Sequence, residues 1–129
     1  MQTSPHDHRG TLAAPLAYEA FLALHRPHYL AYARARLGPT GADAAVTGAF
    51  AALLCRWPGV ISSCSPAAQA WQILSRRVRA HAGEPPGRTA EDVLAEDVRV
   101  LMSLGYDAEH SAGLTGVPVG TVHSLLRRP

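Results

Sequence analysis

The stretch LGYDAEHSAGLTGVPVGTVHSLLRRP, residues 104–129, carries the punctuation of a helix-turn-helix. Asp107 is placed to cap a short helix, and Glu109 in its first turn faces the positive helix end. That helix is predicted to run to about Leu114. Thr115-Gly116 then supplies a tight turn in which Gly116 is free to adopt a left-handed conformation. Pro118 suits the first turn of a second helix. Val119, Val122 and Leu126 recur at helical spacing and are its predicted apolar seam. Thr121, His123, Ser124 and Arg127 are left on other faces, together with Gly120. Small, hydroxyl-bearing and cationic side chains of this kind suit a helix lying in a major groove. From about Pro118 to Arg128 the helix would be roughly 16 Å long, enough to span a few base pairs.

Working back along the chain, the remaining apolar periodicities are also helical. Between Leu16 and Leu37, Tyr18, Phe21, Leu22 and Leu24 precede Pro27, and Tyr29, Leu30, Ala33 and Leu37 follow it. Pro27 is expected to kink or divide this stretch, and Gly38-Pro39 to end it. Asp43 opens a second predicted helix with Val46, Phe50, Leu53, Leu54 and Trp57 as its stripe. Pro58-Gly59 stops it, and a loop continues to Ser65. Ser65-Pro66 is a strong start, cap then first-turn proline, for a third helix running to about His81. Trp71, Leu74 and Val78 are its seam. The segment GEPPGR, residues 83–88, reads as a plain linker. Thr89 and Asp92 form a near capping box for a further helix with Leu94, Val98, Leu101 and Met102 inward.

The organisation implied is all-α: a tail over residues 1–14, a three-helix unit over 15–82, a linker over 83–90 and a helix-turn-helix unit over 91–129. The C-terminal unit is at the margin of what folds alone, so it is expected to pack on the N-terminal helices or on a second chain.

Composition narrows the function. All 12 basic side chains are arginine, which with the many alanines is the usage expected of a GC-rich bacterial genome. Net charge is only +2, so nucleic-acid affinity has to come from clustering. Arg76, Arg77 and Arg79 form one cluster, readable either as a solvated face or as phosphate contacts. Arg127 and Arg128 form another. The beginning, MQTSPHDHRG, lacks the apolar core of a secretory signal, and no apolar run approaches membrane-spanning length. A cytoplasmic protein without a membrane contact is expected. Cys55 and Cys64 have no zinc spacing and read as a buried thiol and a loop thiol. His6 and His8, and His25 and His28 about Pro27, lack the constellation of a metal site. No nucleophile turn or phosphate loop occurs, so neither catalysis nor a cofactor is expected.

The run GVPVGTVHSLLRR, residues 116–128, resembles the DNA-reading end of extracytoplasmic-function sigma factors. In that family a Gly-Val-x-x-Gly-Thr-Val-x-Ser core closes the domain that contacts the upstream promoter element. Phe21 to Pro27, Phe50 to Pro58 and Ala70 to Leu74 resemble the framework of the family's N-terminal domain, which grips core RNA polymerase and opens the downstream element. The resemblance implies a sigma region 2-like unit followed by a sigma region 4-like unit. It implies promoter DNA and core RNA polymerase as partners, and an anti-sigma or other regulatory protein as a further one. DNA contacts would come from Thr121, His123, Ser124, Arg127 and Arg128, with Arg76, Arg77 and Arg79 on backbone or melted strand.

The departures from the family are specific. Its acidic, glutamine-containing signature before Phe50 is replaced by ADAAVTGA, residues 42–49, in which only Asp43 is charged. Asp43 and Thr47 are what remains for a polymerase contact, and loss of charge from a docking surface removes complementarity. His110 and Ser111 stand where the family prefers an acidic and an aliphatic residue. The connection from Gly83 to Ala90 reaches at most about 28 Å, whereas two promoter elements more than a helical turn apart need over roughly 35 Å. Two functions follow: a promoter-reading regulator, or a sigma-like helical adaptor that binds another regulator or itself, as in a homodimer, without engaging polymerase.

Overall fold

The computed structural model describes residues 15–128, and their regular elements are all α-helices. The first, α1, spans Leu16–Cys55 and is broken at Gly38, where φ 78° and ψ 174° leave the helical region. Of the kink or division expected at Pro27, the division does not occur: Pro27 lies within the helix. The missing N–H of Pro27 leaves the carbonyl of Ala23 without its helical donor, and both residues are exposed, so water can take that place. After the break the helix resumes at once, with Pro39 suited to its first turn. Asp43 therefore lies within a helix and does not open one.

The two arms of α1 fold back on one another. The Tyr18 hydroxyl donates to the Phe50 carbonyl at 3.0 Å, and its ring meets Phe50 and Trp57 edge-on. Tyr29 stacks on Phe50 and meets Trp71 at its edge. Around these rings Val46, Leu53, Leu74 and Val78 complete the main core. Two predicted seam residues stay out of it: Leu24 is 66% exposed and Leu54 39%. Cys55, expected buried, is an exposed thiol like Cys64.

Residues 59–65 are not wholly a loop. A short helix, α2 (Trp57–Ile61), carries Pro58 in its first turn and buries Trp57 and Val60. The burial of these two side chains outweighs the turn preference of Pro58-Gly59. Helix α3 is Pro66–His81, capped by the Ser65 hydroxyl, which accepts from the Ala68 N–H at 3.2 Å. Helix α4, Ala90–Ser103, begins with the Thr89 hydroxyl accepting from the Asp92 N–H at 3.0 Å.

Two short helices follow. Asp107 accepts from the His110 N–H at 2.8 Å and caps α5, Ala108–Thr115. Gly116 ends α5 at φ 76° with its N–H on the Ala112 carbonyl. Pro118, expected in the first turn of the next helix, stands just before it with an extended backbone, and α6 is Val119–Leu126. The seam of α6 is rotated from the expected one. Val122 and Leu125 are buried against Ala95 and Val98 of α4, and Val119 is 40% exposed.

The C-terminal helices pack on the N-terminal ones. Leu101 and Leu114 join the main core, and the turn at Gly116 lies directly against the start of α3, where the Ser65 hydroxyl donates to the Gly116 carbonyl at 3.3 Å. No helix among the described residues is long and apolar enough to cross a membrane. The 1–14 tail, with His6 and His8, lies outside the described residues, as does Pro129.

Candidate nucleic-acid interface

Burial of Val122 and Leu125 turns the opposite face of α6 to solvent. Thr121, His123, Ser124 and Arg127 are all exposed, with Thr121 at the flank of that face. His123, Ser124 and Arg127 share one face by helical spacing, with Gly120 adding no bulk to it. The Arg127 guanidinium donates to the Ser124 hydroxyl at 3.3 Å. It has no carboxylate within ion-pair distance among the described residues. This surface offers one cation, two hydroxyls and an imidazole on a short, closely approachable helix.

Arg128 is placed differently. It is hydrogen-bonded to Asp92 and lies 3.9 Å from Glu91, both at the start of α4, and its carbonyl accepts from Arg99 at 2.9 Å. The hydrogen bond from Arg128, then that from Thr89, holds the Asp92 carboxyl below the usual range. Arg128 thus ties the end of α6 to α4, and a phosphate would have to compete with two carboxylates for it.

The α3 arginines also divide. Arg76 and Arg77 are exposed, with no carboxylate partner among the described residues. The Arg77 guanidinium lies over Gly48, its Nη1 only 3.1 Å from where a Cβ would stand. Arg79 is instead half-buried and paired. It donates to Glu84 at 2.8 Å, Glu96 at 2.9 Å, Asp97 at 2.8 Å and the Val93 carbonyl at 3.1 Å. A phosphate contact by Arg79 would forfeit these bonds, so its geometry is that of an internal strut.

At the centre of that strut is Asp97, 1% exposed, which the helix pattern did not mark as polar and essential. Besides Arg79 it accepts from the Tyr32 hydroxyl at 2.5 Å, the Trp71 indole at 2.9 Å and the Ser75 hydroxyl at 2.7 Å. Around it Arg36, Arg79 and Arg88 face Glu84, Glu96 and Asp97. Glu84 and Arg88 come from the stretch read as a plain linker, which is therefore anchored at both ends. Burial works against ionisation of Glu96, but the hydrogen bonds from Arg88 and Arg79 outweigh it and bring its carboxyl down to about 2. Burial, and next the charge of Asp97, push the Tyr32 hydroxyl far above its ordinary value. One signal was available. Leu94, Asp97, Val98 and Leu101 fall at i, i+3, i+4 and i+7, so Asp97 interrupts an apolar seam.

Asp43 and Thr47 are exposed one turn apart on the second arm of α1, beside Gly48 and the Arg77 side chain. His28 bonds the Tyr106 hydroxyl at 2.7 Å, and His25 stacks on Phe21. Among the described residues no three His, Cys, Asp or Glu side chains converge on a metal-sized site. Comparison with family models, with curated proteins and with solved structures gave no match.

Proposed function

We propose that the chain is a sigma-factor-like, DNA-binding transcription regulator that reads promoter DNA through α6. The observation that carries this reading is the exposed face of α6. Thr121, His123, Ser124 and Arg127 face solvent together on the second helix of a helix-turn-helix whose first helix, turn and cap have the chemistry such a unit needs. Arg76 and Arg77 are the accessible cations for backbone contact, and Arg128 positions the helix. Because Leu101 of α4 and Leu114 of α5 join the core of α1 and α3, and α6 packs on α4, the recognition helix is held at a fixed offset from the N-terminal unit. A compact protein of this kind reads one element and does not span two.

Selection from a pool of randomised duplexes, followed by band shifts, tests the reading. R127A is expected to weaken binding and to lower the slope of log affinity against log salt by about one, as loss of one phosphate contact requires. An unaltered slope removes Arg127 from the interface, and failure to select any duplex removes the reading.

A second reading, the sigma-like adaptor, draws on the surface of α1. Leu16 is 88% exposed and Leu24 66%, on the face turned away from the core. Co-elution with core RNA polymerase separates the cases. A complex that D43R or T47R abolishes supports a retained polymerase contact; none supports a regulator or adaptor working without polymerase.

A further inference from the structure

Between α3 and α4, closed at one end by the turn before α6, lies a cleft of about 420 Å³. That volume is within the range of small-molecule pockets. Ala68, Val93, Leu94 and Val117 give it half-buried apolar walls, and the Trp71 ring contributes to its lining. Gln72 and Arg76, one helical turn apart on α3, supply its polar edge.

The electrostatics of this cleft select the sign of an occupant. Asp97 lines it, but both of its oxygens already accept hydrogen bonds, from Tyr32, Trp71, Ser75 and Arg79, so no free carboxylate is offered to a cation. Arg79 and Arg88 also line it and are held by Glu84, Glu96 and Asp97. Arg76 is the surplus charge: exposed, and without a carboxylate partner among the described residues. We propose that the cleft is a binding site for a small amphipathic organic anion. Its apolar body lies against Val93, Leu94 and Val117, and its single acidic group meets the Arg76 guanidinium and the Gln72 amide. Apolar walls supply affinity through area removed from water, and one charge-assisted contact supplies orientation. The site does not depend on a DNA contact by α6, but it shares Arg76 with the backbone contact proposed above, and the dye test is run without DNA.

The test uses the full chain and two dyes. Anilinonaphthalenesulfonate is an anion that brightens in apolar surroundings, and phenylnaphthylamine is its uncharged parent. The sulfonate is expected to bind at one equivalent, with quenching of Trp71, and about tenfold more tightly than the parent, as one charge-assisted hydrogen bond predicts. R76Q removes that preference and leaves the parent's affinity unchanged. A90F, which fills the mouth of the cleft from the first turn of α4, weakens both dyes. Circular dichroism confirms that each variant is folded. Absence of binding by the wild-type chain overturns the proposal. So do equal affinities for the two dyes, a preference surviving in R76Q, or dye binding indifferent to A90F.

Discussion

Asp97 joins α1, α3 and α4 through one buried carboxylate. Replacing it with alanine leaves Arg79 and Arg36 facing an emptied site and removes the acceptor from Tyr32, Trp71 and Ser75. Breaking a buried ion pair from one side costs about 3–5 kcal/mol; Arg79 and Arg36 keep Glu84 and Glu96, so D97A is expected to lose about the lower end of that range in urea unfolding. A loss under about 1 kcal/mol would mean that the network contributes specificity and no net stability. Its neighbour Glu96 gives the fold a pH dependence with a definite sign. In the folded chain its carboxyl is depressed from 4.5 to about 2. The unfolded chain therefore binds the proton first, and stability falls as pH drops through that window. The contribution of Glu96 is fully present above about 4.5 and is lost as pH approaches 2. The urea midpoint of the wild-type chain should decline over that interval, and E96Q should flatten the decline. An identical pH profile in E96Q would remove Glu96 as the cause.

At the scale of elements, what could be read in the sequence was what is decided locally. Caps and turns are local chemistry: Ser65, Thr89 and Asp107 each accept from the N–H three residues on, as their side chains allow. Gly116 is the sharpest case. Its φ of 76° already disfavours a side chain, and a Cβ there would stand 2.2 Å from the Ala68 backbone nitrogen. G116A combines a left-handed penalty with a backbone clash and is expected to cost about 2–5 kcal/mol, measured as a shift in the urea midpoint at constant m-value. A near-neutral G116A would show that the α5–α6 turn is not seated on α3. Features decided by distant parts of the chain were misread. Pro27 sits inside α1 because its face is solvated, and Pro58-Gly59 turns helical because Trp57 and Val60 have a core to enter. The phase of α6 was open for a related reason. Val119, Val122, Leu125 and Leu126 are all apolar, so two stripes fit the sequence, and only packing against Ala95 and Val98 chooses between them.

For the whole molecule, the recurring helical spacing of apolar residues could be summed to an all-helical fold, but not to its closure. The ion network that joins Glu84 and Arg88 of the connection to Arg36, Arg79 and Asp97 depends on residues far apart in sequence, each of which alone looks like solvated surface. For the same reason the candidate interface was legible in part: the α6 face is local, whereas the diversion of Arg79 and Arg128 into internal pairs is not. With Leu101 and Leu114 in the main core, the two units are expected to unfold together. Tryptophan fluorescence, which reports on Trp57 and Trp71, and far-ultraviolet dichroism should trace one coincident transition. Two resolved transitions would show that the C-terminal helices fold by themselves.

The placement of Asp97 also governs how the molecule can move. A pair of helices joined only by apolar contact can slide or tilt by small degrees, because each increment costs little. A carboxylate shared among α1, α3 and α4 does not yield by increments, since lengthening its bonds leaves a charge and several donors dry together. Parting α4 from α1 and α3 is accordingly expected to be all-or-none, because these bonds break together.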